Sequence, residues 1–427
     1  MTPDDESFTS EIVGSNGQWP PPPEVFSYST LREIERCPNQ WMLRRARFPE
    51  VWGQTGYPDL PVLPAIFGDV LHLTLETVIR AMVGSGCTDS SSEEAVAVLR
   101  NLGGLTAVIS SAIATIGSTL ERNPRASRQL PGIHQALTAR TPELRRRAQA
   151  MLARARLVPG FANRSQSPGR HIGDRGLASG SFAEITLRMK NPSWLGRVDL
   201  LILSDNECRI VDYKTGAEHD SHQEQVRVYA LLWSADDTLN PHGRLATQLT
   251  VGYPDHDLVV EAPGQAELAA LRAELVRRTS TARDALASRP PLAIPDAQSC
   301  PMCSVRHLCA QYWHTFGAAP QLSAGLEHDG FGDFQLLVSQ RNGPRSWLCH
   351  SSPHTAGQNA DPILVLAGDP ELGLEPGSTV RLINGRFHRD PDTFETTVTV
   401  SDRSEIYTVA ATWADLVLMG SSTCLWP

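Results

Sequence analysis

Two short apolar runs, each interrupted by a single acid, constrain this chain more than any other feature. The first is Leu195-Gly196-Arg197-Val198-Asp199-Leu200-Leu201-Ile202, and the second is Ile210-Val211-Asp212-Tyr213-Lys214-Thr215-Gly216. Each reads as a β-strand bounded by turn residues. Residues i and i+2 of a strand share a face, so Asp212 and Lys214 point the same way. With Asp199 on the neighbouring strand, two carboxylates are held close and repel unless a divalent cation lies between them. Oxygen ligation with open positions suits Mg²⁺ or Mn²⁺. A lysine beside such a cation can orient an attacking water and stabilise charge developing on a phosphate. The chemistry so assembled is phosphodiester hydrolysis. The simpler alternative is an Asp212–Lys214 ion pair at the surface end of a strand.

Charge usage sharpens the choice. Lys+Arg number 38 against 47 Asp+Glu, a net charge of −9 over 427 residues. That excludes a protein coating nucleic acid through its global charge, but not one with a local basic groove. Only two of the cations are lysines, Lys190 and Lys214; the rest are arginines. A chain that otherwise writes Arg keeps Lys where a compact ammonium does what a guanidinium cannot. No apolar run approaches the roughly 18–20 residues of a membrane helix, and the acidic, polar N-terminal stretch does not read as a secretory signal. The expectation is a soluble, cytoplasmic protein with no membrane partner.

Residues 1–25 read as a disordered tail ending in Pro20-Pro21-Pro22-Pro23. A short helix follows near Phe26–Cys37, with Thr30 and Glu33 at capping-box spacing, and a second spans about Gly68–Met82. Ala, Leu and Arg dominate from about 85 to 160, which reads as a helical insertion; its Arg145, Arg146, Arg147, Arg154 and Arg156 could line a phosphate path as readily as a solvated face. Short β-rich runs begin at Phe182, and a helix over about Gln223–Trp233 places Gln225 and Tyr229 on one face. Strands near 248–253 and 258–261 precede a long helix from Gln265. From 319 to 427 the chain reads as a small all-β domain whose turns and lengths suit an OB-like barrel. Its Trp347, Phe387, Phe394 and Tyr407 are core residues or base-stacking residues.

The eight cysteines do not form a disulfide framework, since the chain is long and lacks an export signal. Cys300, Cys303 and Cys309 crowd into ten residues, a spacing that belongs to metal chemistry and allows a structural zinc site. Cys87, Cys208, Cys349 and Cys424 read as ordinary small apolar residues.

In combination these elements resemble the RecB-type branch of the PD-(D/E)XK nuclease superfamily, including its AddB-like and CRISPR-associated members. Gly68-Asp-Val-Leu-His72 resembles the G-x-x-x-H helix motif. Glu184, Gly196-Arg-Val-Asp199 and Asp212-Tyr-Lys214-Thr-Gly216 resemble the nuclease core, and Gln225-Val-Arg-Val-Tyr229 resembles Q-x-x-x-Y. The resemblance covers roughly residues 26–315. It implies an α/β, restriction-endonuclease-like mixed sheet flanked by helices, in a nuclease domain over 26–318. It implies His72, Asp199, Asp212 and the Tyr213 carbonyl as metal ligands and Lys214 as the catalytic lysine. Gln225 and Tyr229 would position DNA or the lysine, with Glu184 in support. It also implies that Cys37 joins Cys300, Cys303 and Cys309 around a [4Fe-4S] cluster, with Zn²⁺ as the alternative. Asp212 stands where the family often has Glu.

The implied activity is a Mg²⁺- or Mn²⁺-dependent deoxyribonuclease, a single-strand exonuclease in repair, recombination or defence. No G-x-x-x-x-G-K-[ST] motif occurs, so a helicase would be a separate partner. The alternative is a non-catalytic DNA-binding subunit of a helicase–nuclease complex.

Overall fold

The computed structural model describes residues 19–48, 56–159, 176–288, 290–316, 329–351, 362–367, 372, 374–393, 395–401 and 403–409. Most of the tail, Phe394 and Cys424 therefore lie outside the described residues. Helix α1 (Tyr28–Arg36) is capped by Ser27, whose hydroxyl accepts from the Thr30 N–H, rather than by a Thr30–Glu33 box. Pro38, at the first helical position of α2 (Pro38–Arg45), lets a new helix begin one residue later. Helix α3 (Leu63–Gly84) leads into the insertion, which consists of α4 (Glu93–Asn101), α5 (Leu105–Leu120), α6 (Leu130–Ala139) and α7 (Thr141–Arg154).

Strands β1 (Gly180–Met189), β2 (Trp194–Leu203) and β3 (Cys208–Tyr213) form an antiparallel meander. The chain then crosses over through α8 (Asp220–Ala235) and returns as β4 (Gln248–Gly252), parallel to β3. Parallel neighbours need a long crossover of this kind. Strand β5 (Asp257–Val260) completes a five-stranded mixed sheet in the order β1-β2-β3-β4-β5. Both faces of the sheet are covered, which is why β2 is apolar nearly throughout. Leu201 and Leu203 pack with Trp233 of α8 and with α1 and α9 (Gln265–Ala285), whereas Leu200 and Ile202 pack with α3 and the insertion helices. This is the restriction-endonuclease-like arrangement of a mixed sheet flanked by helices.

Two short 3₁₀ turns carry the cysteine loop, Cys300–Met302 and Arg306–Leu308, before α10 (Ala310–Phe316). The remaining strands are β6 (Asp329–Gly343), β7 (Ser346–Ser351), β8 (Ile363–Ala367), β9 (Thr379–Arg389), β10 (Thr396–Val400) and β11 (Glu405–Val409). Their pairings run β6-β7-β8-β10-β9 and back to β6, so five strands close a ring and β11 adds outside β9. Closure removes exposed edges, and long β6 bends through two irregular registers to pair on both sides. Phe334, Trp347, Val365, Leu382, Phe387 and Val398 fill the interior. Trp347, Phe387 and Tyr407 are thus buried rather than displayed as a stacking platform; among the described residues Phe331 is an exposed aromatic. No single helix among the described residues is long and apolar enough to cross a membrane.

Buried arginines tie the ring to the rest. Arg125 grips Glu405 of β11 through two 2.7 Å bonds and donates to the carbonyls of Pro58 and Ser304. Arg306 of the cysteine loop pairs with Asp333 of β6, which also accepts from Tyr312. Removing one partner of such a buried pair strands the other charge, at a cost of about 3–5 kcal/mol. Arg125→Met should therefore lower unfolding stability by that amount in denaturant titrations. A second tie joins α1, α8 and α9: Glu224 accepts from Tyr28 and Arg278, and Arg278 also pairs with Glu35. Burial raises the Glu224 pKa, but the bonds from Tyr28 and Arg278 outweigh it and hold the carboxyl below its ordinary value. This stabilisation is present above an unfolded carboxyl pKa of about 4.3 and is lost as pH falls through the lower folded value. The stability gap between wild type and Arg278→Met should accordingly be full near neutrality and narrow below about pH 4.

Candidate active site

The β2–β3 register pairs Leu200 with Val211, which sets Asp199 across from Asp212. Asp212 is buried, at 3% exposure, beneath the sheet end. Asp199 is half-buried, and its Oδ2 accepts from the Tyr213 N–H at 2.6 Å. Burial and the facing Asp212 push the Asp199 pKa well above the carboxylate range, against the Tyr213 N–H and Lys214. Two acids so close resist simultaneous ionisation.

Lys214 follows the strand directly, and its N–H bonds the Gly252 carbonyl at 2.8 Å, which extends the β3–β4 pairing and fixes its position. Its Nζ lies 2.8 Å from Asp212 Oδ2. That oxygen is buried and has no partner of hydrogen-bond geometry, so the ion pair leaves a lone pair unused. The other lysine, Lys190, is an exposed surface cation paired with Asp237.

His72 reaches the same end of the sheet from α3. Burial and Lys214 lower its pKa, while Asp212, Asp69 and a bond to the Tyr213 carbonyl oppose that. The helix approaches because Gly68, one turn earlier, has no side chain: a Cβ there would sit 2.7 Å from Thr215 Oγ1. Gly196 plays the same part for α8, since a Cβ would meet the Tyr229 ring at 2.7 Å. Tyr229 accepts from Gln225 Nε2 at 2.6 Å, and burial together with Asp212 raises its pKa. Glu184 stands in register opposite Asp199 with φ +57, a conformation rare for a non-glycine residue, and is paired with Arg197. Burial raises its pKa, opposed by Arg197. Strain of this kind gathers at functional sites.

All of the sequence-derived core residues thus gather at one sheet end. His72, Lys214 and Gln225 open onto a groove of about 970 Å³, along with Arg32 and Arg36 of α1. Neither arginine was singled out from sequence; their i, i+4 spacing beside Cys37 was the available signal. His222 was also missed; its Nδ1 lies 2.8 Å from the Tyr253 hydroxyl, and burial and Lys214 lower its pKa. The insertion arginines are not a free row: Arg147 pairs with Glu143 and lies over Phe67, and Arg154 pairs with Asp257. Arg145 and Arg146 remain exposed.

Beyond the C-terminal end of α1, Cys37, Cys300, Cys303 and Cys309 line one small cavity of about 30 Å³. Backbone N–H groups of Gln40 and Asp296 lie 3.4 and 3.3 Å from the sulfurs of Cys37 and Cys300, and Asn39 Nδ2 lies 3.7 Å from Cys309. Burial and neighbouring thiols raise the Cys303 pKa to about 12. Cys87, Cys208 and Cys349 are buried elsewhere. Among the described residues, no three His, Cys, Asp or Glu side chains converge on a single-ion position.

Comparison with known proteins separates the fold from the family. No curated protein matches the sequence. Among solved structures, tetrameric p202 HIN2 aligns at 16% identity over 21% of this chain and 47% of its own, with a TM-score of 0.18. A murine DNA binding protein bound with ds DNA aligns at 8% identity over 54% and 94%, with a TM-score of 0.16. SSO0001 aligns at 12% identity over 66% and 94%, with a TM-score of 0.21. The chain thus spans less than half of p202 HIN2. The family model is decisive instead. It matches residues 25–310, well over half of the chain, and takes in the acid pair, the lysine and the four cysteines: the chain belongs to the PD-(D/E)XK nuclease superfamily.

Proposed function

We propose that this chain is a metal-dependent deoxyribonuclease of the RecB-type branch that degrades single-stranded DNA ends. Superfamily membership supports a nuclease; the observation that supports the catalytic assignment is the Asp199–Asp212 pair with Lys214 Nζ 2.8 Å from an otherwise unbonded Asp212 Oδ2. An unused buried carboxylate oxygen beside a second acid fits an oxygen-ligated cation. Mg²⁺ is commonly held by only one or two carboxylates with water and substrate phosphate, so the lack of a converging triad among the described residues is compatible with it. Asp199, Asp212, His72 and the Tyr213 carbonyl would hold the ion. When bound, Mg²⁺ or Mn²⁺ lowers the pKa of water and neutralises phosphate charge.

The protein's own groups then divide the work. Lys214 aims an ammonium at the groove, where charge develops on the phosphate. The Gln225–Tyr229 bond locks the helix face behind it, and Gly196 admits the ring that makes the bond. Arg32 and Arg36 supply phosphate contacts along the groove. The five-stranded ring has the strand number of an OB-fold, and its contribution is to hold the strand rather than to stack bases in its core. Unwinding falls to a separate helicase partner. The four cysteines hold a metal centre of structural role. The four cysteines line one cavity, and the resemblance to the RecB-type branch is what favours [4Fe-4S] over a structural zinc ion there.

Three outcomes test this. End-labelled single-stranded DNA should be cut only with Mg²⁺ or Mn²⁺, and Lys214→Ala should lower the rate by about 10²–10³-fold with binding retained. Metal-independent cutting, or a fully active variant, would refute the assignment; binding without cutting by metal-loaded protein would instead favour the non-catalytic subunit. Gly196→Ala should destabilise by about 1–3 kcal/mol through overpacking against Tyr229, seen as a lowered denaturation midpoint with reduced activity. Anaerobically purified protein should carry four irons per chain, as expected of a [4Fe-4S] centre; stoichiometric zinc would select the alternative.

A further inference from the structure

Three arginines are buried where the ring meets the cysteine loop, and they differ in one respect. Arg125 and Arg306 each face a carboxylate, Glu405 and Asp333. Arg381 of β9 does not. It is fully buried, paired in the ladder between β6 and β11. Its Nε donates to Gln335 at 3.1 Å, its Nη1 donates to the His307 carbonyl at 2.5 Å, and its guanidinium lies 5.0 Å from the Trp313 ring. Its Nη2 has no partner, and among the described residues no carboxylate pairs with it.

An uncompensated buried cation costs several kcal/mol, so such groups are found with an anion nearby. The guanidinium's two contacts on the cysteine loop, the His307 carbonyl and the Trp313 ring, flank Cys309 in the chain, and Cys309 is the neighbour that opposes the lowering of the Arg381 pKa by burial. Coordination deprotonates a thiol outright. Four thiolates around a divalent core leave a net charge of about −2, whether the core is zinc or an oxidised iron–sulfur cluster. An occupied cysteine centre would supply that missing counter-charge beside the segment His307–Trp313 that the guanidinium contacts.

We propose that the cysteine centre extends into the ring through Arg381, whose unpaired buried guanidinium is the positioning counter-charge of the metal-bound thiolates. Docking of β9 and its neighbours on the cysteine loop is then conditional on the centre being filled. The inference rests on the reading that the four cysteines hold a metal, of either kind.

The test compares filled and chelator-stripped full-length protein by amide exchange of 379–383 and 405–409, alongside metal content and the rate of metal loss to excess chelator. In wild type, stripping should speed exchange in these segments at least ten-fold. Arg381→Met replaces the charge with an apolar stem, a change that buried sites often tolerate. It should lose metal about ten-fold faster and show the same exchange filled or stripped. Arg381→Lys, which keeps the charge, should retain most of the wild-type response, and it carries the test by itself if the Met variant does not fold. A Met variant as responsive as wild type, or a Lys variant as unresponsive as Met is expected to be, overturns the inference while leaving the metal centre intact. Wild-type protein that binds no metal overturns the cysteine reading and this inference with it.

Discussion

The repulsion between Asp199 and Asp212 is the constraint around which the nuclease half is arranged. Backbone pairing of β2 with β3 forces the two carboxylates together, and the hydrogen-bond ladder outweighs their mutual cost. Everything adjacent mitigates that cost without cancelling it. The Tyr213 N–H takes one oxygen of Asp199, Lys214 takes the side of Asp212, and His72 arrives with a lowered proton affinity. What is left over is an acid pair short of positive charge, next to the groove onto which His72 and Lys214 open. A packed sheet end would have no reason to keep such a pair.

Charge balance also organises the second half. The cysteine loop is short and irregular, and it meets the ring through charge as well as apolar packing. Paired guanidinium and carboxylate groups span the seam, and Trp313, Tyr312, Ile383 and Tyr407 pack together there with Leu308 and Cys309. His307 sits in the middle, stacked on Tyr407 at 4.1 Å and tilted against Tyr57 at 4.6 Å. Burial and the surrounding arginines keep it neutral, with a pKa well below the ordinary value. A neutral ring is the only form of histidine compatible with three neighbouring cations.

Much of this was legible in the residues, and the rest was not for identifiable reasons. Strand periodicity and the D-x-K spacing located the acid pair, because local backbone geometry alone fixes side-chain direction. The helix over Gly68–His72 was readable for the same reason, although it extends to Leu63–Gly84. The left-handed φ of Glu184 left no trace, since only glycine announces that conformation in a sequence. Trp347 and Tyr407 could not be sorted into core or surface until the ring closed. Closure depends on the parallel β8–β10 pairing, a contact between strands separated by β9 that no local pattern encodes. The Glu143–Arg147 pair spans one helical turn and is readable from spacing, whereas the partner of Arg154 was hidden, because Asp257 at the start of β5 reaches it only in three dimensions.

The order of these elements along the chain gives synthesis a timetable. Cys37 emerges first, but its three companions follow only after the whole acid-and-lysine sheet has been made. At translation rates of about 5–20 residues per second, the roughly 95 residues between Lys214 and Cys309 occupy about 5–20 s. During that interval the acid-and-lysine sheet can fold while Cys37 waits without the other three cysteines. The ring that clasps the cysteine loop is translated later still, so the clasp closes over a loop that is already complete.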